Sequence, residues 1–218
     1  KGTLVAHLHE HTASVSQIAV SDDHRFFVSG SLDGSVKVWD CERLHTIVTN
    51  RSRLTCKLQK GQINSITTIR NTHSVASACN LGSVHIFNIE HQRRVEKSFT
   101  KTVYSGIQTV RFIDQNEGSI FDVRSFDGTP SSSSILMYAT THGNVHGWDL
   151  RMKNASQESF LMRNSPRMGL LKSIAVDNSH NWVIVGSDLG IYTIWDLRFQ
   201  IPVRSFCHPT ESAVLGLS

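Results

Sequence analysis

The fold is decided by residues 28–40, Val28-Ser29-Gly30-Ser31-Leu32-Asp33-Gly34-Ser35-Val36-Lys37-Val38-Trp39-Asp40. Two β-prone runs flank an Asp-Gly pair, which predicts a hairpin because glycine accepts a positive φ in a tight turn. Strand alternation then places Val36 and Val38 on one face and Lys37 on the other, at a blade surface. The stretch therefore predicts a β-hairpin that ends in a Trp-Asp pair.

The same pattern occurs four times in the chain. Each copy has a glycine followed five residues later by an aromatic residue and then Asp or Asn: Gly34 with Trp39-Asp40, Gly82 with Phe87-Asn88, Gly143 with Trp148-Asp149, and Gly190 with Trp195-Asp196. Upstream of each glycine lie two apolar residues three positions apart: Val15/Ile18, Ile63/Ile66, Ile120/Val123 and Leu171/Ile174. A period of roughly 47 to 61 residues with these features is typical of an all-β propeller built from WD repeats.

The spacing also predicts how the chain is divided. We expect one incomplete propeller over residues 1–218, with repeats at approximately 9–56, 57–110, 111–162 and 163–206 and the start of a fifth at 207–218. Residues 1–8 and 208–218 predict one strand from each flanking blade. Because propellers have about four to eight complete blades, the pattern predicts a fragment of a larger protein. The insertion at 127–134 is expected to be a surface loop.

A buried tryptophan needs a partner for its indole N–H, and hydroxyl groups of the neighbouring strand are candidates. His11, Ser31, Asp33 and Trp39 predict the hydrogen-bonded Trp–Ser–His–Asp set of a well-formed WD repeat. The other three repeats are degenerate at the position of Asp33, where they carry Leu81, His142 and Leu189. We assign structural roles to the repeat residues, namely His11, Ser31, Asp33, Gly34, Trp39, Asp40, Gly82, Phe87, Gly143, Trp148, Asp149, Gly190, Trp195 and Asp196.

Composition favours a cytosolic module. No apolar run approaches the roughly 18 residues that would span a bilayer, and the first residues do not resemble a signal peptide. The four cysteines have no Cys-x-x-Cys spacing and lie far apart, which predicts reduced thiols. They are Cys41, Cys56, Cys79 and Cys207.

Catalytic and cofactor motifs are not predicted. Ser187 lies in a Gly-Ser-Asp-Leu-Gly stretch that precedes a hairpin rather than a helix, so it does not fit a nucleophile elbow. The alternating His7, His9 and His11 would share one strand face and could ligate a metal, but we favour a strand edge with a structural His11. His142 and His146 are expected to be solvated.

The chain has a net charge of +4 with neutral histidines, and its densest basic spots are Arg51 with Arg53 and Arg93 with Arg94. Solvated blade edges are the favoured interpretation. The alternative is a propeller that binds phosphoinositides or a membrane surface through these arginines. Aromatic residues for base stacking are not interleaved with them, so nucleic-acid binding is not predicted.

Three stretches lie outside the general repeat pattern: residues 195–209, 4–11 and 147–151. They closely resemble the C-terminal WD-repeat domain of the regulatory subunit of class III phosphatidylinositol 3-kinase. The resemblance implies a non-catalytic scaffold in a complex that acts in autophagy and endosomal or vacuolar sorting. It implies the lipid kinase catalytic subunit and Beclin-type coiled-coil subunits as partners, and a cytoplasmic location at endosomal or autophagic membranes. The kinase motifs of that family have no counterpart here.

Arg198 and Phe199 are the candidate partner contacts. They follow Trp195-Asp196 at the end of a predicted inner strand, and the nearby Pro202 limits strand pairing. Binding faces of this kind depend on a few aromatic or arginine anchors. The structural alternative is that Phe199 packs under the turn while Arg198 pairs with a nearby carboxylate.

Overall fold

The computed structural model describes residues 4–45, 49–57, 61–70, 72–89, 107–112, 117–128, 133–150, 159–177, 179 and 181–217. These residues form four four-stranded antiparallel sheets, each with its strands in chain order or the reverse. Short 3-10 turns lie at Cys41–Arg43 and Pro166–Met168. The predicted all-β architecture is confirmed.

We number the sheets as blades one to four. Blade one contains β1 (Val15–Val20), β2 (Phe26–Ser31), β3 (Val36–Asp40) and β4 (Leu54–Cys56). Blade two contains β5 (Ile63–Ile69), β6 (Ser74–Cys79), β7 (Ser83–Asn88) and β8 (Ile107–Phe112). Blade three contains β9 (Ile120–Gly128), β10 (Ser133–Thr140), β11 (Asn144–Asp149) and β12 (Phe160–Arg163). Blade four contains β13 (Leu171–Val176), β14 (Trp182–Ser187), β15 (Ile191–Asp196) and β16 (Ile201–Cys207).

The core lies between adjacent blades, in three clusters of buried side chains. One joins blades one and two through Val36, Val38 and Phe87. The next joins blades two and three and includes Trp148. The third joins blades three and four and includes Trp195. Stacking of successive sheets, rather than a single central core, therefore stabilises the fold.

A bulge at the same place in each blade accounts for the apolar pairs spaced three apart. Residues three apart on a regular strand point to opposite faces. Here the pairing register shifts by one residue directly after the first member of each pair, which puts both members on one face. The shifts lie between Val15 and Gln17, between Ile63 and Ser65, between Ile120 and Asp122, and between Leu171 and Ser173.

Blade two shows the result of the bulge. Ile63 and Ile66 both point at Gly30 of blade one, and a Cβ on Gly30 would lie 2.8 and 2.9 Å from their Cγ2 atoms. This glycine therefore allows the two sheets to approach. Its place is taken by Ala78, Ala139 and Gly186 in the following blades.

The two ends of the chain differ from the expected strands. Residues 4–14 and 208–217 form no strand, because their few backbone hydrogen bonds to neighbouring strands do not continue as a ladder. Val214 nevertheless packs over Gly186, and its N–H donates to the Ser187 carbonyl at 2.9 Å. The Ser173 hydroxyl donates to the Val214 carbonyl, also at 2.9 Å.

The insertion at 127–134 is shorter as a loop than expected. β9 extends to Gly128 and β10 begins at Ser133, and these two residues pair across the hairpin. The ladder of backbone hydrogen bonds continues into the insertion, since antiparallel strands pair up to their turn. Residues 129–132 lie outside the described part of the chain.

Candidate protein-binding surface

The outer edge of blade four presents a row of exposed apolar side chains. Among the strands of the described residues, β16 pairs with β15 alone, and all seven of its residues are exposed. Phe199, in the turn before it, is 69% exposed, and Ile201, Val203 and Phe206 on the strand are 53%, 51% and 42% exposed. We call Phe199, Ile201, Val203 and Phe206 the edge patch. An exposed group of large apolar side chains is a feature of interaction sites.

Arg198 is held in place at one end of the edge patch. Its Nε and Nη2 atoms donate to Asp196 Oδ1 and Oδ2 at 3.1 and 2.7 Å. Its backbone N–H donates to Asp196 Oδ1 at 2.9 Å. These hydrogen bonds from Arg198 hold the pKa of Asp196 below its ordinary value and raise the pKa of Arg198. The guanidinium is thus oriented before any partner arrives.

The clamped guanidinium lies close to two aromatic rings. Its central carbon is 5.8 Å from the ring centre of Trp182 and 5.5 Å from that of Phe199. At the other end of β16, Arg204 lies 4.8 Å from the ring centre of Phe206. Arginine and aromatic side chains are enriched at protein interfaces, and here the two types lie next to one another.

The two candidate contact residues, Arg198 and Phe199, differ in how the structure holds them. Arg198 pairs with the carboxylate of Asp196, as its structural alternative requires, yet 55% of its side chain remains exposed. Phe199 does not pack under the turn but projects into solvent. Phe199 therefore remains available as an apolar contact residue, and Arg198 is available only through the exposed part of its guanidinium.

The hydrogen-bonded set in blade one is built on Ser29 rather than Ser31. Trp39 Nε1 donates to Ser29 Oγ at 2.8 Å, and His11 Nε2 lies 2.7 Å from the same hydroxyl. His11 Nδ1 lies 3.1 Å from Asp33 Oδ2. Ser31 instead donates to the Ala13 carbonyl at 3.2 Å.

The reason is the strand register. Trp39 pairs with Phe27, so Ser29 is its diagonal neighbour on the same face of the sheet, whereas Ser31 lies a further pair away at the turn. Sequence reasoning missed Ser29 because both serines alternate to the same face. The pairing register was the missing information.

Asp33 joins the loop before blade one to the hairpin turn. Burial alone would raise its pKa, but hydrogen bonds from Ser35, from the Thr12 N–H and from His11 outweigh this and hold the pKa well below its usual range. The Thr12 N–H donates to Asp33 Oδ2 at 2.9 Å, and the Ser35 N–H donates to Oδ1 at 2.8 Å. Asp33 is therefore a charged anchor for residues 11 and 12.

Glu10 adds a second anchor beside the first. Its carboxylate lies 3.1 Å from Lys37 Nζ and accepts the Ser52 N–H at 2.9 Å. Lys37, expected at a blade surface, is in fact buried, since only 7% of the residue is exposed. The loop segment that contains Glu10 covers the face on which alternation places Lys37.

The remaining predicted repeat residues occupy equivalent places. The turn glycines have positive φ angles, and the acidic residues end the third strand of their blades. Phe87 is buried, and its ring, unlike an indole, has no N–H that needs a hydrogen-bond partner. Trp195 donates to Asn164 Oδ1 at 3.2 Å, from the loop before its own blade. The turn glycines are Gly34, Gly82, Gly143 and Gly190, and the acidic residues are Asp40, Asp149 and Asp196.

Blade three has a different cluster at the corresponding site. Tyr138 stands where blade one has Ser29, and its ring stacks on His146 with centroids 4.8 Å apart. His146 Nε2 lies 2.6 Å from Glu117 Oε2. The expectation that His146 is solvated is wrong, because the stack and the Glu117 contact leave it 3% exposed.

The alternative sites receive little support from the described residues. His11 uses both ring nitrogens in the blade-one set, and no cluster of three or more potential metal ligands occurs in the described ranges. Arg53 lines a cavity of about 150 Å³ together with Asp23, Asp40 and Glu42. Arg93 and Arg94 lie outside the described residues. The described part of the chain contains no helix that is long and apolar enough to cross a membrane.

Comparison with known proteins agrees with this architecture. The family model "WD domain, G-beta repeat" matches residues 2–40. A solved structure entitled "Structure of U3-55K" superposes with a TM-score of 0.68 over 90% of this chain and 50% of that chain. At 16% sequence identity this likeness shows the fold alone.

Two sequence relatives are much more similar. The probable serine/threonine-protein kinase vps15 of Dictyostelium discoideum is 42% identical over 205 residues, which are 94% of this chain and 10% of that protein. The serine/threonine-protein kinase VPS15 of Arabidopsis thaliana is 36% identical over 214 residues, 96% of this chain and 14% of that protein. The chain thus aligns over nearly its whole length with a small part of these relatives.

Proposed function

We propose that the chain is a WD-repeat segment of a VPS15-type regulatory subunit of a phosphatidylinositol 3-kinase and that it acts as a non-catalytic protein-interaction scaffold. It is a β-propeller segment rather than a kinase domain. In this proposal its subunit acts in autophagy and in endosomal or vacuolar sorting. The subunit would then be cytoplasmic and associated with the surface of endosomal or autophagic membranes.

The partners we propose are the class III lipid kinase catalytic subunit and Beclin-type coiled-coil subunits. The observation that supports a binding role is the edge patch with Arg198 at its end. A coiled coil presents a long helical surface with apolar and acidic side chains, and Phe199 with the oriented guanidinium of Arg198 complements both.

The test is co-purification of the full-length subunit with its coiled-coil partner. Phe199→Ala is expected to reduce recovery of the partner severalfold, since an exposed aromatic anchor contributes on the order of 2 kcal/mol to binding. Leu81→Ala is the matched control, because Leu81 is 66% exposed on the turn of blade two. Arg198→Ala is measured in parallel, with the melting temperature of each variant.

Loss of the partner from Phe199→Ala at an unchanged melting temperature would support the edge patch as the binding site. Equal recovery of the partner with Phe199→Ala and with the control Leu81→Ala would contradict it. Binding of the chain to anionic vesicles that falls with salt and with loss of Arg51 and Arg53 would favour the membrane-surface alternative instead.

A further inference from the structure

The inner strands of the first three blades are joined by a row of polar side chains. Gln17 on β1, Ser65 on β5 and Asp122 on β9 occupy equivalent positions, each directly after the bulge. Ser65 is 1% exposed and Asp122 is 8% exposed. The role of this row is separate from the edge patch, which lies on the outer strand of blade four.

Ser65 is at the centre of the row. Its Oγ lies 2.7 Å from Gln17 Oε1 and 2.8 Å from Asp122 Oδ1. Gln17 Oε1 also accepts the Ile66 N–H at 2.9 Å, so this atom of the amide is the oxygen and not the nitrogen. Ser65 Oγ therefore makes two short O···O contacts, and each contact is favourable only if a proton lies between its two oxygen atoms.

The other hydrogen-bond donors to Asp122 are the Val123 N–H and the Arg124 guanidinium. The Val123 N–H donates to Oδ1 at 2.9 Å and lies 3.1 Å from Ser65 Oγ. Arg124 donates to Oδ2 through Nε and Nη2 at 3.2 and 3.0 Å. The Val123 N–H thus faces both Ser65 Oγ and Asp122 Oδ1, but neither it nor Arg124 supplies a proton that lies between Ser65 Oγ and either of its oxygen neighbours.

Counting protons decides between the two forms of Asp122. A serine hydroxyl carries one proton and an ionised carboxylate carries none, so the two O···O contacts of Ser65 would share a single proton. With a proton on Asp122 Oδ1, Asp122 donates to Ser65 and Ser65 donates to Gln17, and every contact is a hydrogen bond. We infer that Asp122 retains this proton to a higher pH than an exposed aspartate does, and that the proton completes a chain across three blades.

The surroundings of Asp122 agree with this inference. Burial raises the pKa of Asp122 above its ordinary value, against the lowering effects of Arg124, the Ser65 hydroxyl and the Val123 N–H. Arg124 is the charged group in contact with it among the described residues, and 39% of its side chain is exposed. The strands packed against β9 carry three further titratable groups, Cys79 on β6, Tyr138 on β10 and Lys172 on β13.

The consequence is a contact between blades that depends on pH. Since protonation is favoured in the folded chain, the contribution to stability is complete below the unfolded aspartate pKa of about 3.9. It is lost as the pH rises through the folded pKa of Asp122. The direction is opposite to that of Asp33, whose folded pKa is lowered.

The first test is a direct titration of the chain. Carboxyl carbon-13 signals of aspartate are followed by NMR from about pH 3 to about pH 8, and Asp122→Asn identifies the signal of Asp122. A midpoint above the ordinary aspartate value of about 3.9 is expected. A midpoint at or below that value would overturn the inference.

The second test separates proton sharing from burial. In Gln17→Met, Ser65 no longer has to donate to Gln17 and is free to donate to ionised Asp122. The midpoint of Asp122 is therefore expected to fall by about one pH unit. The control is Gln62→Met, which replaces an exposed glutamine directly before β5, the strand that carries Ser65, and it should leave the midpoint unchanged.

An unchanged or higher midpoint in Gln17→Met would mean that burial alone governs Asp122, and the proton chain would be rejected. If Asp122→Asn does not fold, the signal that moves in Gln17→Met but not in Gln62→Met provides the assignment. A chain in which no aspartate signal moves contradicts the inference equally.

Discussion

Blades one and four each bury a tryptophan ring at the same position of the repeat, but the two indole N–H groups have different hydrogen-bond partners. Trp39 donates to Ser29 within a four-residue set that includes His11 and Asp33. Trp195 donates to Asn164 Oδ1 at 3.2 Å. The ring position is set by packing between blades, since both tryptophans are at least 95% buried. The hydrogen-bond partner, in contrast, differs in origin, since Ser29 lies on the neighbouring strand β2 and Asn164 lies in the loop before blade four.

The difference has a consequence for the loop that precedes each blade. In blade one, two side chains of the hairpin, Ser29 and Asp33, hold His11 and the backbone of Thr12. In blade four, Asn164 contacts the ring through its oxygen, and its Nδ2 atom is buried without a hydrogen bond among the described residues. We therefore expect the blade-one set to contribute more to stability than the contact of Asn164.

The largest effect is expected from removal of the rings. Trp39→Ala should lower the free energy of unfolding by about 3 to 5 kcal/mol, because it leaves a large cavity between packed sheets. Trp195→Ala should have an effect in the same range, since packing rather than hydrogen bonding is common to both. Urea unfolding measures the change. A loss below about 1 kcal/mol for Trp39 would show that the ring is not an anchor.

Removal of the acceptors should separate the two blades. Ser29→Ala leaves both the Trp39 N–H and His11 Nε2 without a partner and should cost about 1 to 3 kcal/mol. Asn164→Ala should cost about 1 kcal/mol, because it removes one longer hydrogen bond. Ser31→Ala controls for the loss of a buried hydroxyl outside the set. Equal losses from Ser29→Ala and Asn164→Ala in urea would remove the distinction between the blades.

An effect as small as that of Asn164→Ala is expected from neutralising Asp33, and it should depend on pH. Asp33→Asn keeps the size of the side chain and should cost about 1 kcal/mol at neutral pH. Because the folded pKa of Asp33 is lowered, its contribution is complete above about pH 3.9 and is lost as the pH falls further. Thermal unfolding at several pH values should show the difference from the parent shrinking in acid. A constant difference would exclude a role for its charge.

Much of this comparison could be predicted from the sequence, because the relevant signals are local. The Asp33-Gly34 turn and the position of Trp39 follow from hairpin chemistry and repeat spacing. The choice of Ser29 over Ser31 depends on the register with which β2 and β3 pair. The burial of His146 depends on Glu117, which lies 29 residues away and has no repeat motif.

The bulged first strands illustrate the same limit. Strict alternation would have placed Ile63 and Ile66 on opposite faces, yet both face Gly30. A bulge is a tertiary feature whose residue, here Asn64, carries no distinctive type. The spacing of three was visible in the sequence, but its cause was not.

The bulge makes β5 tolerant of one deletion and sensitive to others. Ile63 pairs with Cys79, Ser65 with Ala78 and Ile66 with Ser77, so Asn64 has no partner of its own on β6. Deleting Asn64 would leave a regular ladder in which Ile63 and Ile66, now two positions apart, still share the face toward blade one. Deleting the paired residue Thr67 would instead turn Ile69 to the opposite face, so its loss should be more harmful than the loss of Asn64.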